Sequence, residues 1–530
     1  MPAKAVTIVV AGRYGQLKKM INLYKIEIEY IENLLSNNNP TKAFEYIIEL
    51  LKGENKDDIN LKLLSISYLN FIASEYFLPK QEEIGFIKSA GKSEKLIKEL
   101  KTYERDELKE MLLNFEASLH QSKFKFKLSK GENFLKLLKN HLQLAISNYW
   151  RSLKICERKD EKYNIRNNLA NCLVLTGRFI EATSLLNENI KQNPKRFQSF
   201  ASLGHAMEDL KDASSLPDIP SFYFVIAEKY LEAKKASPND HTKEDIEVDI
   251  ERCKLKLQSM GFELNETNLT ENRNTEQIEF DKFSKYRKYV LINQLSLNEH
   301  ALHCYCLNAK QDNLSIGLYN GSIHLNKPIK LRELERYLNR IKSEYAFARL
   351  LFYKYETFNI SDNHFYSEND YKNAAVQDDD EILGYRIEHI RTSYRILYGL
   401  LDKIASAILV HYNIPENGKS VYFEDIFHQF KNELSTKNNI HLHALQSMSL
   451  DLSQSLDGIK VGSLGFYKKI RNKLEHGLLI LSKNQTDFEV REINILDFKT
   501  FVIELMRLTK SAIFSLNYLI RTETLFKELD

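Results

Sequence analysis

Between Leu383 and Ile408 the apolar residues Leu383, Ile387, Ile390, Tyr394, Leu397, Leu401, Ile404 and Ile408 advance by alternating four-residue and three-residue steps. That stride holds one apolar stripe on one side of an α-helix for the whole run, as a long bundle helix requires. A second stretch, Leu496 to Glu528, repeats the theme with Phe498, Phe501, Val502, Leu505, Ala512, Leu516 and Leu519. Helices with continuous stripes must bury them against other helices, so residues 331–530 read as a helical domain. Composition agrees, because 18 Gly and 9 Pro in 530 residues are too few for a turn-rich sheet architecture. The expected fold class is mainly α, and 43% hydrophobic residues give it ample core to bury.

The chain before residue 260 carries shorter amphipathic segments, broken by polar runs such as Ser36-Asn37-Asn38-Asn39-Pro40 and Gly53-Glu54-Asn55-Lys56. From Arg166 to Pro194 the positions of Leu169, Ala170, Leu173, Gly177, Phe179, Ala182, Leu186 and Pro194 resemble the tetratricopeptide (TPR) repeat. Small Ala170 and Ala182 let two antiparallel helices approach, Gly177 and Arg178 form the turn, and Pro194 stops the second helix. A second unit starts at Leu203-Gly204 and Met207 and closes late with Tyr230, Ala233 and Pro238, after an insertion from Lys211 to Ser221. A weaker unit around Leu142 to Cys156 uses Tyr149 as its aromatic residue. The expectation is a TPR-like helical repeat region over 1–260 that binds a protein or peptide trigger. Asn-rich and Thr-rich text from Asn265 to Thr275, then Tyr289-Val290-Leu291-Ile292 and Ser315 to Gly321, mark 261–330 as a linker with possible short strands.

Lys plus Arg (75) and Asp plus Glu (72) nearly cancel to a net charge of +3, so no global positive field announces a nucleic-acid partner, although a local basic patch would escape this count. Five scattered cysteines form no disulfide framework and suit a reducing, cytoplasmic setting. The apolar run Ala5 to Ala11 is far shorter than the roughly 18 residues of a spanning helix, and no membrane association is expected.

Chemistry concentrates in Leu464 to His476 (LGFYKKIRNKLEH). No breaker follows Gly465, and Phe466, Ile470 and Leu474 share one face, so the segment is predicted as a helix ending at His476 before Gly477. Leu478 to Leu481 and Phe488 to Ile493, separated by Asn484 to Asp487, are predicted as a small β-hairpin. Asn472 and His476 lie one helical turn apart, and Arg471 aligns with Glu475. Imidazole exchanges a proton near neutral pH, and the negative end of a helix favours its charged form. A guanidinium forks onto phosphate. Lys468, Lys469 and Lys473 could hold an RNA backbone, with a solvated helix face as the plainer account, and Tyr467 could stack on a base. Glu475 either pairs with Arg471 in a regulatory rest state or forms only a surface ion pair.

The pattern Arg471-Asn472-x-x-x-His476 resembles the R-(polar)-x-x-x-H motif of HEPN-domain ribonucleases of toxin–antitoxin, abortive-infection and CRISPR-associated systems. The text from Tyr398 through Asp402 and Lys403 to Ala405, and from Ile470 to His476, also resembles a subfamily in which this domain follows TPR repeats. The resemblance implies metal-independent RNA cleavage by attack of the ribose 2′-OH, leaving a 2′,3′-cyclic phosphate and a 5′-OH. It implies His476 as acid or base, Arg471 as the group that offsets phosphorane charge, and Asn472 as an orienting group. It further implies a homodimer, no cofactor, and a regulated role in antiphage defence or growth arrest. The rival reading is a non-catalytic TPR scaffold whose C-terminal bundle only binds RNA or dimerises.

Other constellations are weaker. His300, His303, Cys304 and Cys306 lack a second Cys/His pair at zinc spacing. His441 and His443 are expected to share one face of a strand in a structural or surface role, and Asp378 to Glu381 read as helix capping rather than a cation site. No P-loop, dinucleotide turn or Ser-centred nucleophile elbow is found.

Overall fold

The computed structural model describes residues 23–316, 329–357, 382, 384–453, 464–482 and 492–527, save positions 104, 217, 218, 239, 417 and 419. The chain divides into two compact units. The first comprises residues 1–176, 185–207 and 229–252, and the second comprises 177–184, 208–228 and 253–530.

The first unit opens with α1 (Lys25–Ser36), α2 (Pro40–Leu50), α3 (Ile59–Ile72), α4 (Glu83–Lys101), α5 (Asp106–Ser129), α6 (Gln143–Ile155) and α7 (Lys159–Leu175), each packed on its sequence neighbour. The centre of this array is α3, whose sequence INLKLLSISYLNFI is apolar on every side. Such a helix is stable only when surrounded, and every residue from Leu61 to Ile72 is buried. Asp58 starts it by accepting the Asn60 N–H at 2.6 Å. Its one buried cation, Lys62, is matched by Glu99 at 2.6 Å.

Four further helices follow: α8 (Phe179–Gln192), α9 (Phe197–Ala213), α10 (Pro220–Ala236) and α11 (Asp240–Ser259). Within the first unit the end of α8 is tied to α7 by Asn189, which donates to the Tyr163 carbonyl at 2.9 Å, and by Arg166–Glu188 at 2.9 Å. Midway along α9, Gly204 meets α10 closely: a Cβ there would lie 2.6 Å from the Tyr230 ring. Gly204→Ala is therefore expected to cost about 1–3 kcal/mol through overpacking, read as a lower urea midpoint. An unchanged midpoint would mean that the two helices do not approach this closely in solution.

The C-terminal bundle lies in the second unit. Its long members are α14 (Ile329–Thr357), α15 (Tyr385–Tyr412) and α18 (Ile495–Lys527), preceded in the chain by α12 (Glu266–Asp281) and α13 (Lys285–Ile292). Two shorter helices, α16 (Ile440–Leu452) and α17 (Phe466–His476), pack on them. The stripe on α15 is fully sequestered, with Ile387, Ile390, Tyr394, Leu397, Leu401, Ile404 and Ile408 all buried. Small groups bring α14 and α15 together, as the Ser393 hydroxyl donates to the Ala348 carbonyl at 2.9 Å. No helix among the described residues is long and apolar enough to cross a membrane.

Several expectations are corrected here. The Asn-rich text read as the start of a linker is helix α12, because Asn265 caps it by accepting the Asn268 N–H at 2.8 Å. Tyr289 to Ile292 belong to α13 and not to a strand. The segment after α13 is tied down by Asp312, which pairs with Arg349 of α14 at 2.5 Å and Arg287 of α13 at 3.3 Å. The strands β1 (Ile480–Ser482) and β2 (Glu492–Asn494) pair in parallel and not as a hairpin, with Leu481 opposite Ile493. β2 runs straight into α18, whose first turn Asn494 caps by accepting the Leu496 N–H at 2.8 Å. His441 and His443 lie buried on a helix, α16, and burial lowers both imidazoles to about 4. Cys304 and Cys306 are joined as a disulfide across one residue, whereas Cys156, Cys172 and Cys253 are free and buried. Asp378 to Glu381, Gly321 and Asn484 to Asp487 lie outside the described residues.

Candidate functional site

Helix α17 has one face in the core and one in solvent. Tyr467 and Ile470 are its buried anchors. The Tyr467 hydroxyl donates to Glu504 of α18 at 2.8 Å, and its backbone carbonyl accepts the Tyr394 hydroxyl of α15 at 2.8 Å. Its ring sits among Phe466, Tyr394 and Phe501. The ring expected to stack on a base is thus only 1% exposed and serves to fix the helix instead. Burial and the nearby Glu504 push its hydroxyl well above the ordinary tyrosine range.

The opposite face carries the motif. Asn472, Glu475 and His476 are exposed, and Arg471 and Lys473 are half-buried. The Arg471 Nη1 donates to the Asn472 Oδ1 at 3.1 Å. Among the described residues this is the hydrogen bond that Arg471 makes, and the expected pairing with Glu475 is not formed. His476 is the last residue of α17, where the helix ends with the Gly477 N–H on the Lys473 carbonyl at 3.2 Å. The Gly477 backbone is extended and not left-handed.

The lysines divide. Lys469 is exposed, and Lys468 is ion-paired with Glu424 at 2.7 Å, with Asp425 at 4.0 Å. Glu424 also receives the Tyr398 hydroxyl at 3.4 Å. A neutralised Lys468 has less to offer an RNA backbone than the sequence suggested.

Behind the motif lies a cluster that periodicity did not single out. Asp402, on α15 one turn beyond Tyr398, accepts the Phe423 N–H at 3.0 Å. Burial raises its carboxyl to about 6; the Phe423 N–H, Arg471 and Lys468 pull it down, and Glu424 pushes it up. Raising the carboxyl from its ordinary 3.8 costs the folded state up to about 3 kcal/mol at neutral pH. The sign follows: the folded form holds the proton more tightly, so the cost is absent below pH 3.8 and complete above about 6. Asp402→Asn is expected to raise the urea midpoint at pH 8, with the two proteins converging near pH 4. A gap that widened in acid would contradict this environment.

The signal for Asp402 was present but mute. It flanks the apolar stripe of α15 as any solvated residue might, and nothing in the loop containing Glu424 marks a partner. Among the described residues, no group of three or more His, Cys, Asp or Glu is placed to hold a metal ion.

A bundle of long helices carries the short helix α17, on which Asn472 and His476 are exposed and Arg471 is half-buried, and a HEPN-type helical domain occupies this C-terminal region. Residues 325–523 match the family model described as LA2681-like HEPN. No curated protein and no solved structure matches the chain. A HEPN-type domain points to nuclease activity of the RNase kind.

Proposed function

We propose that the C-terminal domain is a metal-independent endoribonuclease whose chemistry is carried by Arg471, Asn472 and His476. The observation that carries this reading is the two-sidedness of α17: Tyr467 and Ile470 lock one face, while Asn472 and His476 are exposed and Arg471 is half-buried. A rigid helix presenting an imidazole at its end, an amide one turn earlier and a guanidinium on the residue before that amide is suited to phosphoryl chemistry.

In this reading the ribose 2′-OH attacks the adjacent phosphorus as one His476 removes its proton. The P–O5′ bond breaks, and the His476 of a second copy protonates the leaving oxygen. The products are a 2′,3′-cyclic phosphate and a 5′-OH. One α17 supplies one histidine, which is why the reading requires a homodimer. Arg471 offsets the phosphorane charge, Asn472 orients the histidine or the phosphate, and Lys469 and Lys473 hold the flanking backbone. The N-terminal helices are read as TPR-like repeats that bind a protein or peptide trigger, and so restrain an activity that would otherwise be toxic. The close fit of Gly204 against Tyr230 supports that repeat packing.

The test is cleavage of a labelled RNA in EDTA by the wild type, His476→Ala and Arg471→Ala, with and without candidate triggers. Cleavage lost in both variants supports the reading. Equal rates in all three, or none under any condition, favours a non-catalytic scaffold.

A further inference from the structure

Among the described residues the disulfide Cys304–Cys306 closes a loop of a single intervening residue, Tyr305. In the chain-entropy account a disulfide stabilises by restricting the unfolded state, and the effect grows with the length of chain closed. A bond across one residue therefore adds about as little to stability as a disulfide can. The turn around it is held by other contacts. The Cys304 N–H donates to the His300 carbonyl at 2.8 Å, and the Asn298 amide donates to the Asn308 and Gln311 carbonyls at 2.8 and 2.5 Å. Two carboxylates of α12 grip the same segment: Glu276 accepts the Tyr305 N–H at 2.5 Å, and Glu279 accepts the Leu307 N–H at 2.6 Å. The Tyr305 ring packs on Phe280 of α12, with centroids 5.3 Å apart.

None of these contacts uses a sulfur, so they persist when the bond opens. The two thiols then stay on one fixed turn, with Cα atoms 5.5 Å apart, and closure is an intramolecular step at high effective concentration. Access is unequal: Cys304 is 6% exposed, whereas Cys306 is half-buried and the more accessible of the two. Competing thiols are suppressed. Cys156, Cys172 and Cys253 are buried, and burial pushes the Cys156 and Cys172 thiols up to about 12. A thiol held protonated is a poor partner for exchange.

We propose that Cys304 and Cys306 form a reversible thiol–disulfide site, a two-electron couple that exchanges with low-molecular-weight thiols of the glutathione class. This is independent of the nuclease reading. In the reducing direction a glutathione thiolate attacks the Cys306 sulfur; a mixed disulfide forms as the Cys304–Cys306 bond breaks, and Cys304 leaves as a thiolate that takes up a proton. A second glutathione thiolate attacks the glutathione sulfur of the mixed disulfide and releases Cys306, which is protonated in turn. The pair gains two electrons and two protons, and two glutathiones become one glutathione disulfide. In the oxidising direction Cys304 attacks the mixed disulfide at Cys306 and expels glutathione.

The test uses the full wild-type chain, equilibrated natively in glutathione buffers of graded composition, quenched in acid, alkylated with N-ethylmaleimide in denaturant and mapped by peptide mass spectrometry. Cys304 and Cys306 fall on one tryptic peptide, so a coupled pair takes up both labels or neither. The doubly labelled fraction should rise from about one tenth to about nine tenths over a roughly 100-fold increase in squared glutathione over glutathione disulfide. Cys156, Cys172 and Cys253 should be labelled throughout. In Cys304→Ser, Cys306 should retain a glutathione adduct in the oxidising buffers that the wild type discharges, with an unchanged urea midpoint. Two labels in every buffer would mean that the thiols never join, and no label even in excess reductant would mean a fixed bond; either overturns the proposal. So does a peptide carrying one label and one glutathione that follows the first power of the ratio, as independent thiols would, or a Cys304→Ser protein that takes up no glutathione.

Discussion

Arg178→Ala is expected to lower the stability of the second unit by about 3–5 kcal/mol, the cost of leaving buried charge unpaired. Arg178 is 0% exposed. Its guanidinium meets Glu181 at 2.7 and 2.9 Å, Asp451 of α16 at 2.5 Å and the Ser447 hydroxyl at 3.2 Å. Burial disfavours the charged guanidinium, but Glu181 and Asp451 outweigh it and raise the group above its ordinary range. Truncation strands two carboxylates, one of them fully buried, in a space where water cannot reach them. The preceding residue belongs to the same joint. Gly177 has φ +81°, and a Cβ there would lie 2.6 Å from the Ile440 carbonyl oxygen at the start of α16, so Gly177→Ala should destabilise in the same direction.

Urea unfolding followed by tryptophan-independent far-UV signal measures the loss, taking the transition assigned to the second unit, since a two-unit chain need not unfold in one step. The informative comparison is Arg178→Met against the triple change Arg178→Met, Glu181→Gln and Asp451→Leu. Removing the whole network should recover much of what the single change loses, because the penalty lies in stranded charge and not in lost attraction. A single-variant loss below about 1 kcal/mol, as for an exposed pair, would mean that water reaches this network in solution.

The same residue shows how legibility in the sequence is divided. The stripes on α15 and α18 were readable because helix burial is a local, periodic property, and each stripe residue follows from its neighbours. The helix carrying the motif and its end at His476 were readable for the same reason. Arg178 was read only as part of a turn, because its partner Asp451 lies far along the chain and no spacing rule links them. Asp402 and Glu424 were invisible as a cluster on the same ground. The parallel pairing of β1 with β2 was missed because hairpin signals consider only two short strands and the turn between them, and carry no information on strand direction. Tyr467 was misjudged because an amphipathic aromatic has the same composition signal whether its ring faces a ligand or a core.

His476→Ala is expected to lower the rate of RNA cleavage by about 10²–10⁴-fold, the range for loss of a general acid or base. On the proposed mechanism the loss lies in kcat, because there the imidazole moves a proton in the transition state and contributes little to holding the ground-state backbone. Structure should be spared: His476 is exposed at a helix end, and the contacts that fix α17 come from Tyr467 and Ile470. An equal unfolding midpoint for variant and wild type is therefore part of the expected result. Product ends discriminate further. Attack by the ribose 2′-OH leaves a 2′,3′-cyclic phosphate, and a substrate with a 2′-deoxy sugar at the cleaved position should resist, since the nucleophile is then missing. If each dimeric cleft uses two histidines, mixing wild type with excess His476→Ala should lower the specific activity of the wild-type chain, because a mixed cleft lacks its acid or its base. Activity that stays proportional to wild-type chain alone would instead place all proton transfer within one protomer and remove the need for a second copy.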